Sequence, residues 1–240
     1  MKKLKGICSL FICILILTLV VGCGNNSDNN SSSGSITASG TNNSSSGSNS
    51  SSSSQVSTKE LEKNVETYGA VSKHDKLIVF VKNNNKVAVD MEIEVEFYDK
   101  DGNIVGSDAD DLKAVGSNSE VAVEMWDTPS SWDNYKLYVD LEQTDEICYF
   151  DKVTLTHSNT GEQIAAQVKN NSEDTIEYIK VAVVYYQGDE VVGIDDGIES
   201  DIKPGRSANF NLDFPYDSKY NKVRFDTYKV FITGAYSYNW

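Results

Sequence analysis

The chain has 240 residues, with 36 Asp and Glu against 21 Lys and Arg and a formal net charge of −15. So large an acidic excess argues against nucleic acid or anionic lipid headgroups as partners held by bulk charge. Two histidines and four cysteines leave few imidazole or thiolate groups for metal or nucleophilic chemistry.

The first segment carries Lys2, Lys3 and Lys5, then an apolar run over residues 7–21 broken by Ser9 and Thr18. At about 15 residues the run is short for a stable membrane span. It ends in Val20-Val21-Gly22-Cys23. Basic n-region, apolar h-region, small residue and cysteine stand in the order of a cleaved export signal, and the stretch resembles the lipobox of a bacterial lipoprotein. That resemblance implies a signal peptide over 1–22 and lipidation at Cys23. It also implies an extracytoplasmic address, anchored to the cell membrane by acyl chains sufficient for stable attachment. An uncleaved signal anchor is the alternative. Cys8 and Cys13 fall within the signal, so only Cys148 remains in the mature chain and no intramolecular disulfide is expected. The apolar context Glu146-Ile147-Cys148-Tyr149-Phe150 suits a buried, inert thiol.

Residues 24–58 are almost entirely Ser, Asn, Gly and Thr, with Asp28 the only charge. Such a composition cannot bury enough apolar surface to offset its ordering entropy, so 23–58 reads as a lipidated cysteine followed by a disordered linker.

Beyond the linker the chain repeats itself. Val81-Lys82-Asn83-Asn84 recurs as Val168-Lys169-Asn170-Asn171, Phe97-Tyr98 as Tyr185-Tyr186, and Val105-Gly106 as Val192-Gly193. Lys136-Leu137 is matched to Lys222-Val223, and the offset stays within a residue or two of 87. That period is domain-sized, and it divides the chain into 59–145 and 146–240. Only residues 58–65 hint at a helical turn. Residues 77–81 are apolar throughout, which suits a more central strand. Val89, Met91, Ile93, Val95 and Phe97 alternate with Asp90, Glu92, Glu94 and Glu96, which is period 2 and a strand with one buried face. Ala208, Phe210, Leu212 and Phe214 alternate in the same way. Asp101-Gly102 and Gly188-Asp189 supply hairpin turns. The pattern predicts an all-β chain of two tandem immunoglobulin-like β-sandwich domains.

The Val-Lys-Asn-Asn element, the strand ending Phe97-Tyr98-Asp99 and the turn Asp101-Gly102-Asn103 with Ile104-Val105-Gly106 resemble the FxLYD-type immunoglobulin-like domain of bacterial lipoproteins. The second copy departs, with Tyr185-Tyr186-Gln187 and a shorter turn. The resemblance implies a sandwich on a lipoprotein stalk and carries over no catalytic residue.

Chemistry is sparse. His74 and His157 lie in different repeats without a partner at ligand spacing, and no Gly-x-Ser-x-Gly element nominates a serine. Asp108, Asp110 and Asp111 fall where Asp195, Asp196, Glu199 and Asp201 fall in the second copy. Carboxylates clustered in a loop are the ligands a calcium ion takes, against the plainer reading of a solvated acidic loop. The row Asp90, Glu92, Glu94, Glu96 is a docking face for a basic partner or a solvated outer sheet that discourages edge aggregation. Trp126 lies on the polar side of its strand and Trp132 follows in a loop beside Asp133. Together they suggest a platform for a sugar ring or a protein partner, against the plainer reading of core caps. The sequence therefore reads as a non-enzymatic binding or interaction module of the cell envelope. Its expected partners are the membrane, through the lipid, and an envelope protein or wall polymer. A structural spacer of a membrane complex and a calcium- or carbohydrate-binding domain are the alternatives.

Overall fold

Apolar alternation gives strands such as β3 (Val89–Tyr98) and β12 (Ser207–Asp213) one inward face, and the faces so created decide how the sheets stack. The computed structural model describes residues 56–72, 76–217 and 219–239. A short helix α1 (Thr58–Glu62) precedes six strands: β1 (Val65–Val71), β2 (Leu77–Asn83), β3 (Val89–Tyr98), β4 (Ile104–Val115), β5 (Ser119–Met125) and β6 (Asn134–Gln143). A two-residue strand β7 (Ile147–Cys148) and a 3-10 turn (Phe150–Lys152) lead to β8 (Val153–Asn159), β9 (Gln163–Asn170) and β10 (Ile176–Gln187). The last strands are β11 (Glu190–Ile202), β12 (Ser207–Asp213) and β13 (Thr227–Ser237).

Pairing is antiparallel throughout. The N-terminal half forms sheets ordered β1-β2-β5 and β4-β3-β6; the C-terminal half forms β8-β9-β12 and β11-β10-β13, the latter extended by β7. The strand order is the same in both halves. Within each half the two sheets enclose a core, one around Val79, Ile93, Phe97 and Val123, the other around Val168, Val181, Tyr185 and Phe210.

A third core joins the halves. Ile78, Phe80 and Ala122 project from the outer face of β2 and β5 and pack with Val184, Val191 and Phe231 from the outer face of the β10 sheet. Phe80 meets Phe231 edge-on at 6.1 Å and Tyr68 stacks on Phe80 at 4.8 Å. The outer faces of the β2 and β10 sheets thus lie together, and β4 of the β3 sheet also reaches β13. The unbroken apolar run 77–81 lies on β2, the central strand of its sheet as the sequence led us to expect, and the third core buries its second face as well.

The Val-Lys-Asn-Asn element has a mechanical reason. Asn83 is wholly buried, with its Nδ2 2.9–3.0 Å from the carbonyls of Val87, Val115 and Gly116 and its Oδ1 accepting from the N–H of Asn85. Asn170 repeats this, donating to Asp174 and Ile202 and accepting from Ser172. Each side chain ties the end of one strand to the end of another across the sandwich.

One sequence match fails. Lys136-Leu137 corresponds to Lys229-Val230 rather than to Lys222-Val223, because Leu137 pairs with Val95 on β6 while Val230 pairs with Val183 on β13. Lys222 lies instead in the connection before β13, in an isolated bridge with Tyr216. The connection at 214–226 is longer than its counterpart at 126–133, so a constant offset slips there.

Asn83→Ala should destabilise the protein by roughly 2–3 kcal/mol, because it strands buried carbonyls. Asn170→Ala should act similarly. Urea unfolding measures both, and a loss under about 0.5 kcal/mol, the scale of an ordinary surface substitution, would contradict the latch.

Candidate functional site

Where β2 begins and β5 ends, the contact between the halves opens into a cleft of about 340 Å³. Its apolar walls are Ile78 from one half and Val192, Ile194 and Pro215 from the other. Lys76 and Glu124 supply charge on the first side, and Tyr216 and Asp217 complete the second. Ile78 and Glu124 are cross-strand neighbours on the outer face of the β2 sheet. Period-2 alternation puts both on the side opposite Leu77, Val123 and Met125.

Tight packing holds the far wall. A Cβ on Gly193 would lie 2.5 Å from the Pro215 side chain, so only glycine lets residue 215 approach β11 so closely. Gly106 and Pro129 repeat the contact in the first half. The approach also carries Tyr216 and Asp217 to the cleft. Asp217 caps its own turn, accepting from the backbone N–H groups of Lys219 and Asn221.

Charge near the cleft is partly desolvated. The Lys76 ammonium donates to the Trp126 carbonyl at 3.0 Å and stands 3.6 Å from Glu124 Oε1. Burial holds the Glu124 carboxyl above its ordinary range; Lys76 opposes that rise, and Asp196 and Asp195 add to it. Burial pushes Asp195 up to about 6, although its carboxylate accepts the Asp213 N–H at 2.6 Å. Asp196 pairs with Lys180 at 3.0 Å. Burial works against the charge on Lys180, but Asp196, then Asp110 of the first half, hold its pKa above the ordinary value. Burial likewise raises Asp110, with Lys180 opposing.

The residues singled out in the sequence do not gather into one site. Trp126 is 66% exposed, the most open tryptophan described. Trp132 instead packs edge-on against Phe97 at 5.2 Å and Tyr135 at 5.8 Å as a cap on the first core. Asp133 is exposed and contributes a backbone N–H to the Tyr98 carbonyl. Of the two readings of the tryptophans, the core cap describes Trp132, while Trp126 keeps an exposed ring.

The aspartates lie on strands rather than in loops. Asp108 on β4 accepts the Asp127 N–H, and Asp195 on β11 accepts that of Asp213. Their shared register reflects this shared backbone contact. Asp110 turns towards the interface and Asp196 binds Lys180, while Asp111 stands on the outer face opposite Glu92. Among the described residues no group of three or more His, Cys, Asp or Glu side chains can hold a metal ion. Glu199 and Asp201 are exposed.

The carboxylate row is broader than the sequence suggested. Glu92 lies between Asp111 and Asp140, while Lys136 stands opposite Glu96 and Lys113 pairs with Asp90. His157 approaches the Tyr228 hydroxyl at 3.4 Å at a sandwich edge. The Cys148 Sγ faces the Ala114 carbonyl, and burial pushes its thiol up. His74 and Cys23 lie outside the described residues. Among the described residues no helix is long and apolar enough to cross a membrane.

No protein-family model matches the chain, and no curated protein matches it.

Sequence reasoning missed the cleft because its walls lie more than a hundred residues apart. The apolar run 77–81 marked β2 as a central strand without pointing to a further layer against it.

The Asp195 carboxyl has a sign that can be measured. Its folded pKa is raised, so the stability it contributes is present below about 4 and lost as pH climbs through about 6. Asp195→Asn should remove that loss, leaving a flatter melting-temperature profile over this window. An unaltered profile would show that Asp195 is solvated.

Proposed function

We propose that this chain is a surface-anchored bacterial lipoprotein, built as two immunoglobulin-like sandwiches that act by binding rather than catalysis. The order of Lys2, Lys3 and Lys5, the apolar run and Cys23 supports the anchor. The common strand order of the halves supports two copies of one fold, and the FxLYD-like strand end and turn support a lipoprotein stalk domain.

The observation that carries the binding reading is the cleft between the halves. It is a concave, apolar-walled space with few convergent polar groups, the ordinary form of a ligand site. The backbone carbonyl of Trp126, whose ring is exposed, accepts the ammonium of Lys76, a residue of the cleft lining. The occupant is a segment of an envelope protein or wall polymer, or a small extracellular ligand. A second reading, a rigid spacer for a membrane complex, is favoured by the third core, which makes one body of the two halves.

Two measurements bear on this. Cys23→Ala should abolish incorporation of labelled palmitate and release the protein from membranes; retained label rejects the anchor. A photo-crosslinking amino acid at Trp126 should capture an envelope component that the same probe at exposed Thr156, on the opposite outer sheet, does not. Equal capture at both positions leaves the spacer as the better account.

A further inference from the structure

The charge balance of the cleft selects its ligand. Glu124 retains only 14% side-chain exposure, and its nearest cation, Lys76, stands at 3.6 Å, beyond good hydrogen-bond distance. Lys76 already donates to the Trp126 carbonyl, which draws it from the carboxylate. The other nearby ammonium, Lys180, is engaged by Asp196. Asp195 and Asp196 add negative potential at Glu124, and Asp217 lines the opposite wall. The cleft thus joins apolar walls to one desolvated, weakly paired carboxylate, Glu124, at which Asp196 and Asp195 add further negative potential.

Each ligand class meets this differently. An anion would be repelled by the surrounding carboxylates. A neutral apolar body would complete the desolvation of Glu124 without giving it a partner, which is costly. A protonated amine gives it a charge-assisted hydrogen bond, the strongest kind a carboxylate can form. About 340 Å³ lies near the small end of ligand cavities, room for an ammonium head and one aromatic ring or short branched body. Tyr216 adds an aromatic ring to the lining, which favours a cation further.

We propose that the cleft binds an organic ammonium with an apolar body, its amine on Glu124 and its body against Ile78, Val192, Ile194 and Pro215. This rests on reading the cleft as the ligand site. A peptide amino terminus, a lysine side chain and a free arylalkylamine all present this chemistry.

The test uses three probes of one shape: phenethylammonium, 2-phenylethanol and phenylacetate. They are titrated into the isotope-labelled full-length chain in detergent micelles and followed by backbone amide shifts. Phenethylammonium should move the signals of Lys76, Glu124, Gly193 and Ile194, binding about ten-fold more tightly than the alcohol, with the carboxylate silent. Glu124→Gln should weaken the amine by about ten-fold while leaving signals of the distant β9 sheet in place. Lys76→Met, which removes the competing cation, should tighten it; a misfolded variant could not. If the alcohol or phenylacetate binds as well as the amine, or Glu124→Gln changes nothing, the ammonium assignment is wrong and the cleft remains a site of another class. If none of the three shifts cleft residues, both readings fail.

Discussion

The contact between the outer face of the β2 sheet and the outer face of the β10 sheet is the constraint on which the rest depends. Phe80 and Phe231, with Ile78, Val184 and Val191, are nearly or wholly removed from water there. Side chains of this size contribute roughly 1.5–3 kcal/mol each when buried. The Lys229–Glu120 ion pair that also bridges the halves is half-exposed and belongs to a class worth roughly 0–1 kcal/mol. Apolar burial therefore decides that the halves stay together, and the ion pair adjusts their register. The same contact desolvates Asp110, Glu124, Asp196 and Lys180, and it ends where the cleft begins. Neither the electrostatics nor the cavity would exist in an isolated half.

The contact is also unsymmetrical, which explains where the two copies diverge. The N-terminal half offers its β2 sheet, whereas the C-terminal half offers its β10 sheet, the counterpart of β3. Hence β2 carries Ile78 and Phe80 outward, while its counterpart β9 carries Ala165 and Gln167. Conversely, β10 carries Lys180, Ala182 and Val184 outward, where β3 carries Glu92, Glu94 and Glu96. The loss of the carboxylate row from the second copy thus follows from its layer: a glutamate at 182 or 184 would sit buried in the interface. A head-to-tail contact of unlike faces leaves one of each kind free, and such contacts can propagate into open assemblies. The two free faces are not sticky. One is carboxylate-rich; the other is a hydroxyl and amide surface with Gln163 bonded to Asn211 and Gln167 to Asn209. Charge and saturated polarity of this kind oppose further stacking.

Local patterns were legible in the sequence and contacts between distant segments were not. Alternation identified β3 and β12, glycine turns identified the hairpins at 102 and 188, and the unbroken apolar run identified β2 as a central strand. The repeat exposed Asn83 and Asn170 as a pair, though not their task, since three carbonyls brought together by folding have no linear signature. Trp132 stayed open between platform and core cap because a loop tryptophan beside an aspartate looks the same whether its ring turns out to solvent or back onto Phe97. The aspartates at 108 and 195 matched in register for a reason visible only in three dimensions, a shared hydrogen bond to a neighbouring strand end. Lys222 misled because an enlarged connection placed a second Lys-Val pair at the expected offset.

Placing a ligand site at this junction has a thermodynamic consequence. Closing the halves desolvates Glu124, and the cost is set against the apolar contact around Phe80. A cation bound to Glu124 lowers that cost, so it must favour the closed arrangement by the amount that closure favours its binding. Substitutions in the third core would then weaken the ligand without touching it, and the ligand would stiffen the contact without adding apolar area. Binding and rigidity are in this architecture two expressions of one free energy. The proposed spacer and binding roles would accordingly be compatible, since filling the cleft would favour the joined halves.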